Sequence, residues 1–172
     1  MVKKTPWVER TFQFNFPIGV FPCIIERLRG TPARVIEMTT SLSHAVLTTR
    51  VENSWSIQEH VGHLVDLDDL HEGRIEDFLS RAPVLRAADM QNKKTHNAGH
   101  NQFALLDIAG RLKTARQRFI ERLEKLSEPE AGLVSLHPRL QQPMRLIDMA
   151  YFVCEHDDHH LARITELKRM LR

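Results

Sequence analysis

The stretch Met149-Ala-Tyr-Phe-Val-Cys-Glu-His-Asp-Asp-His-His-Leu-Ala-Arg-Ile-Thr-Glu-Leu167 decides the reading of this 172-residue chain. At helical spacing Met149, Val153, His156, His160, Ile164, Leu167 and Leu171 share one stripe, in steps of three or four. Two of these positions are histidine, one turn apart, so both imidazoles leave the same face near enough to share one ion. The rest of the stripe is apolar, and a polar group buried there without a partner is costly. A helical His-x-x-x-His pair also occurs as satisfied core histidines or at a solvated edge. A metal site therefore needs a third ligand from elsewhere in the chain.

The length suits one domain with a substantial core, spanning 1–172, with an arm and short helical turn over 1–30 and the main body over 31–172. Apolar residues make up 42% and charged residues 27%, ordinary for a globular protein, and seven glycines with one tyrosine favour helices over a β-sandwich. A net charge of +2, with no basic run interleaved with aromatics, argues against nucleic acid and membrane surfaces as partners. Cys23 and Cys154 make neither a disulfide framework nor a zinc ribbon and are expected as small buried apolar residues. The N-terminus carries no apolar signal region, and no run approaches the roughly 20 apolar residues of a membrane span, so the expected compartment is the cytoplasm.

Along the chain, Phe12, Phe14 and Phe16 alternate with polar residues before Pro17, as in an extended arm laid over a bundle. Pro22 through Arg29 suggests a short helical turn stopped by Gly30. Thr31-Pro32 then reads as N-cap and first position of a helix that frays near Thr48-Thr49. Asn53-Ser54-Trp55 breaks the pattern. Ser56-Ile57-Gln58-Glu59 is a capping box opening a second helix that reaches about Leu79. A long polar connection covers 81–99, of the kind that is functional or crosses a bundle end. A third helix runs from about His100 to Leu126, and Pro143 opens the last one. With no convincing run of strands, the fold class is all-α, a four-helix bundle, and the short joint at 50–55 makes the first two helices antiparallel neighbours.

For the third ligand the second helix offers His60, His63 and His71, with His96 and His100 as lesser candidates. At about 100° per residue, His60 and His71 sit nearer the middle of the apolar face and His63 toward its edge, so periodicity by itself favours either of the first two. Trp55-Ser-Ile-Gln-Glu-His-Val-Gly-His-Leu-Val-Asp66, however, resembles the second-helix signature of the DinB-like superfamily: Trp, then Ser or Thr, then His-Leu/Val-x-Asp eight residues after the Trp. His156-Asp-Asp-His-His160-Leu-Ala-Arg-Ile164 resembles the other half, and 27–34 and 92–101 also look like members of this superfamily. Arg163 stands where many relatives carry Gln or His.

The resemblance covers nearly the whole chain. It implies a bundle of up-down-down-up order and one divalent transition metal (Zn, Ni, Fe, Co or Mn) on His63, His156 and His160. Three neutral imidazoles leave a coordination position open, as in catalytic zinc sites. Asp66, three residues after His63, is the preferred group to orient a ligand histidine or to ligate beside it, and Glu59, Asp157 and Glu155 also lie within a turn of a ligand. His159 is expected to point away from His160, His96 and His100 to cap or rim, and Trp55 to fill the bundle end, whereas His44 and His137 have no assigned part. Among relatives, some look like thiol-dependent S-transferases and others like metal-dependent hydrolases. This implies a small-molecule substrate, including a low-molecular-weight thiol, with Arg163 and Arg145 as anion contacts, and homodimers. The alternative is a non-catalytic bundle stapled by its metal or used as an interaction module.

Overall fold

The structure is a computed structural model describing residues 2, 4–52 and 54–171; Asn53, part of the expected break, lies outside the described residues. The elements are α1 (Phe21–Thr39), α2 (His44–Thr48), α3 (Ile57–Asp66), α4 (Asp68–Leu79), α5 (Lys93–Asn97), α6 (Leu105–Glu124), α7 (Glu128–Ala131), β1 (Val134–His137), β2 (Gln142–Arg145) and α8 (Leu146–Met170). The four rods of the bundle are α1, the α3–α4 pair, α6 and α8.

Several boundaries differ from expectation, each for a local reason. α1 begins at Phe21 and runs through Gly30 and Pro32, so Thr31 is a buried helix-interior residue and not an N-cap. Interior Gly and Pro cost roughly 1 and 3 kcal/mol. Burial of Ile24, Ile25, Leu28 and Val35 along one face offsets them. α1 stops at Thr39, where the Thr39 and Thr40 hydroxyls bond back to the carbonyls of Val35 and Ile36; α2 starts afresh with Ser43 as cap. The Ser56–Glu59 capping box is present at α3, but the second rod is interrupted at Leu67. The connection over 81–99 contains α5, and the His100 region is a 3-10 turn before α6.

The chain also has a hairpin, which the sequence did not announce: β1 and β2 pair antiparallel from Val134↔Arg145 to His137↔Gln142. Pro143 lies in β2 and does not open a helix. Val84 bridges the far side of β1, leaving β2 an edge strand, where a residue without N–H is tolerated. α8 starts at Leu146, with the Asp148 carboxylate accepting from the Arg145 N–H at 2.8 Å.

α1 packs on α6 and α8, and α3 packs on the same two, so the first and second rods face each other across the bundle and are not adjacent. The pairs Ile24–Cys154, Arg27–Glu155 and Thr31–Asp157 advance together, making α1 and α8 parallel. His71–Phe119 and Glu76–Arg122 do the same for α4 and α6. His60–His160 and His63–His156 run in opposite senses, so α3 and α8 are antiparallel. The order is up-down-down-up.

The core is split in two. One cluster joins Ile24, Leu28, Ile75, Phe119 and Val153, with Trp7, Phe12, Phe14 and Phe16 of the extended arm packed on it; the other joins Val35, Val61, Leu112, Leu161 and Ile164. Between them every rod contributes buried polar groups: Thr31; His63, Asp68 and His71; Arg116; and His156, Asp157 and His160. That polar layer holds the candidate site.

Candidate metal centre

His63, His156 and His160 are all buried, and one nitrogen from each lies within 4.8 Å of the others. The Nε2 atoms of His156 and His160 are 3.1 Å apart. That is close to the ~3.3 Å edge of a tetrahedral site with metal–nitrogen bonds of about 2.0–2.1 Å. Burial holds all three neutral at pH 7: His63 is pushed down to about 4, and His156 and His160 fall well below the ordinary 6.5. Neutral imidazole is the form that ligates a metal.

The groups behind the rings fix two of them. His63 Nδ1 is 3.0 Å from Thr95 Oγ1, and the Thr95 hydroxyl stands beside the Asp66 carboxylate and helps to hold it ionised. A threonine hydroxyl that donates to the carboxylate accepts from His63 Nδ1–H, which leaves Nε2 of His63 with its lone pair free. Burial would raise Asp66, but its bonds to His100 (Nε2–Oδ2, 2.8 Å) and Thr95 outweigh that and hold it below the ordinary carboxylate range. Asp66 thus reaches the cluster through Thr95 and not as a direct partner. A Cβ on Gly62 would lie 2.3 Å from the His100 ring, so the absence of a side chain there lets His100 close on Asp66. On the other side His160 Nδ1 meets His60 Nδ1 at 2.8 Å. His60 is pushed down to about 3, by burial first and His63 second. With its proton on Nε2, neutral His60 would accept from His160 Nδ1–H, the arrangement that leaves Nε2 of His160 free toward His156.

The other anticipated carboxylates face elsewhere. Glu59 completes the α3 cap and pairs with Arg50, which hold it at about 2 against burial. Asp157 turns away from the histidines and bridges Thr31 Oγ1 (2.7 Å) and Arg116 Nη2 (3.0 Å). Glu155 pairs with Arg10 and Arg27. Arg145 is engaged by Asp148 and the Phe16 carbonyl, and Arg163 by Glu166 and Ser54, so neither is an anion contact of the pocket. Cys154 is buried, as expected, but Cys23 is exposed.

The cluster opens into a cavity of about 490 Å³ lined by, among others, Trp7, Trp55, Leu70, Met90, Phe152 and His159. Trp55 is a wall of the site and not bundle-end filling: its ring lies 4.7 Å from His63, 5.5 Å from His60 and 6.3 Å from His160. Trp7 comes from the arm to 4.9 Å from His156, and His159 joins it at 5.7 Å. His71 and His137 also line the cavity. The sequence carried a signal for His60 in its periodicity and marked the 92–101 stretch without singling out Thr95, but it carried none for Trp7 or His137, which arrive from the arm and the hairpin.

A buried, neutral three-imidazole cluster in an up-down-down-up helical bundle defines the class. The family model of the DinB superfamily matches residues 27–164, and the chain belongs to that superfamily. Among solved structures it is similar to YfiT from Bacillus subtilis, described as a probable metal-dependent hydrolase with an unusual four-helix bundle topology. The TM-score is 0.78 at 21% identity, over 94% of this chain and 93% of that one. No curated protein matches the chain. Among the described residues no helix is long and apolar enough to cross a membrane.

Proposed function

We propose that this chain is a metal-dependent enzyme whose reaction takes place on a small molecule held in the cavity above His63, His156 and His160. The observation that carries the reading is the convergence of three buried neutral imidazoles on one point at an open cavity wall. The donor set suits a divalent transition metal, and Zn, Ni, Fe, Co and Mn all accept imidazole. Such an ion supplies Lewis acidity and makes a bound water or thiol a stronger acid. Thr95 with Asp66, and His60, hold the ligand rings in one tautomer, and Trp7, Trp55, Leu70 and Phe152 exclude water from the substrate. A hydrolase or a thiol-dependent S-transferase uses the same site, with water or a low-molecular-weight thiol as the nucleophile.

The test is metal content by mass spectrometry on tag-free protein and on His63→Ala, His156→Ala and His160→Ala. It is paired with turnover of an ester and amide panel, with and without low-molecular-weight thiols. About one equivalent in the parent, lost in each variant, with turnover lost on chelation, is expected. No metal in the reloaded parent would overturn the reading. Metal without turnover, with a large drop in Tm on chelation, would make the ion a staple between α3 and α8.

A further inference from the structure

The same cavity has a second group of polar side chains, two of whose buried donors, Arg139 Nη2 and His137 Nε2, have no acceptor. We infer that Arg74, Arg139 and His137 form an oxyanion subsite that takes a carboxylate or phosphate of the small molecule bound in this cavity. Assigning that anion to a substrate rests on the reading of the cavity as the reaction site.

Arg74 on α4 is 3% exposed, and its Nε and Nη2 both donate to the single carbonyl of Arg86, at 3.2 and 3.1 Å. Buried arginine is ordinarily paired with a carboxylate. Among the described residues Arg74 has no such ion pair. The nearby Asp77 is already gripped by the Arg86 side chain at 2.8 to 3.1 Å and by the Arg86 N–H at 2.8 Å. Burial pulls Arg74 down to about 10, as expected of an undercompensated cation. Arg139, in the turn between β1 and β2, stacks over Trp7 and Phe152 with its guanidinium carbon 5.6 Å from each ring. Its Nη1 reaches the Val8 carbonyl at 3.4 Å, while its Nη2 is buried without an acceptor.

His137 completes the set. It is 2% exposed, and its Nδ1 accepts from the Leu140 N–H at 3.1 Å, which places the ring proton on Nε2. That Nε2 is buried and has no partner. Two guanidinium groups and one imidazole N–H thus line one cavity with donors to spare. The carboxylate lining it, Asp89, is occupied by the N–H groups of Gln91 and Lys93, at 2.9 and 2.8 Å. A planar or tetrahedral oxyanion satisfies such donors, and arginine is suited to it. Trp7 lies against both groups, 4.9 Å from His156 and 5.6 Å from the Arg139 guanidinium carbon. An anion on Arg139 would therefore lay the body of the molecule along the indole toward the histidines.

The experiment uses the full chain, metal-loaded and chelator-stripped, with phenylacetate, its uncharged isostere phenylacetamide, and inorganic phosphate as probes. Tryptophan fluorescence and thermal shift are the readouts. Saturable binding of phenylacetate, phosphate or both to each form is expected, with phenylacetamide at least tenfold weaker than phenylacetate. Which anion binds tells carboxylate from phosphate. Arg139→Met, whose side chain is only partly buried, and His137→Phe should each weaken the anion about tenfold or more while metal content stays at the parent level. His160→Ala should keep anion binding. Failure of both anions on both forms, equal binding of the amide, or unchanged affinity in both Arg139→Met and His137→Phe would overturn the subsite. Loss of the metal reading alone would leave anion binding to the stripped protein intact.

Discussion

Lowering the pH of the metal-free protein from 7 to 5 should remove much of its stability. His60, His63, His156 and His160 titrate near 6.5 when unfolded, whereas in the fold burial pushes His60 to about 3, His63 to about 4, and the other two well below 6.5. Each is neutral when folded and protonated when unfolded across this interval. Their contribution is complete above 6.5 and is lost as pH falls toward the folded values. At 1.36 kcal/mol per unit below 6.5, each histidine forfeits about 2 kcal/mol by pH 5. Two carboxyls oppose them: burial also raises Asp157, and Asp68, raised to about 7 by burial, takes up its proton in the folded state over the same range. Asp68 returns about 2 kcal/mol, offsetting one histidine. The four histidines less Asp68 lose about 6 kcal/mol, a figure that Asp157 reduces and that is comparable to the whole stability of a small domain. His71, His137 and His159 are shifted in the same direction and add to it. Urea melts in chelator at pH 7 and pH 5, on wild type and on His60→Asn, isolate one member. The stability gap between the two proteins should move by about 2 kcal/mol in favour of the variant at pH 5. An unchanged gap would mean that His60 is protonated, or hydrated, in the fold, and would refute the buried neutral cluster.

Two further outcomes follow from the polar layer. Thr95→Val removes the hydroxyl that links His63 Nδ1 to Asp66 and should weaken metal binding about 10- to 100-fold with little change in Tm, read by competition with a chromophoric chelator. Arg116→Met leaves the fully buried Asp157 with Thr31 as its hydrogen-bonding partner and should cost about 3–5 kcal/mol in urea melts; the double variant with Asp157→Leu should recover most of that.

Much of the bundle was legible because helix periodicity, the Ser56–Glu59 capping box and the His156–His160 pair are local properties of the chain. Boundaries failed where long-range burial overrode local punctuation. Gly30 and Pro32 lie inside α1 because that helix buries one face along its whole length, and Pro143 fits an edge strand that exists only through its pairing with β1. Periodicity pointed to His60 or His71, yet the ring grouped with His156 and His160 is that of His63, as the family signature implied. The direction of the bundle axis decides this, and a helical wheel does not contain it. His60 falls close by and orients His160.

The sequence by itself determined the amphipathic rods and the His156–His160 pair, since spacing is written along the chain, whereas His63 was named by the family resemblance and not by periodicity. Only the tertiary structure decided what stands behind and around those rings. Thr95, Trp7, Arg139 and His137 come from segments far apart in sequence, and no local pattern marks a side chain whose partner is set by how distant segments pack together.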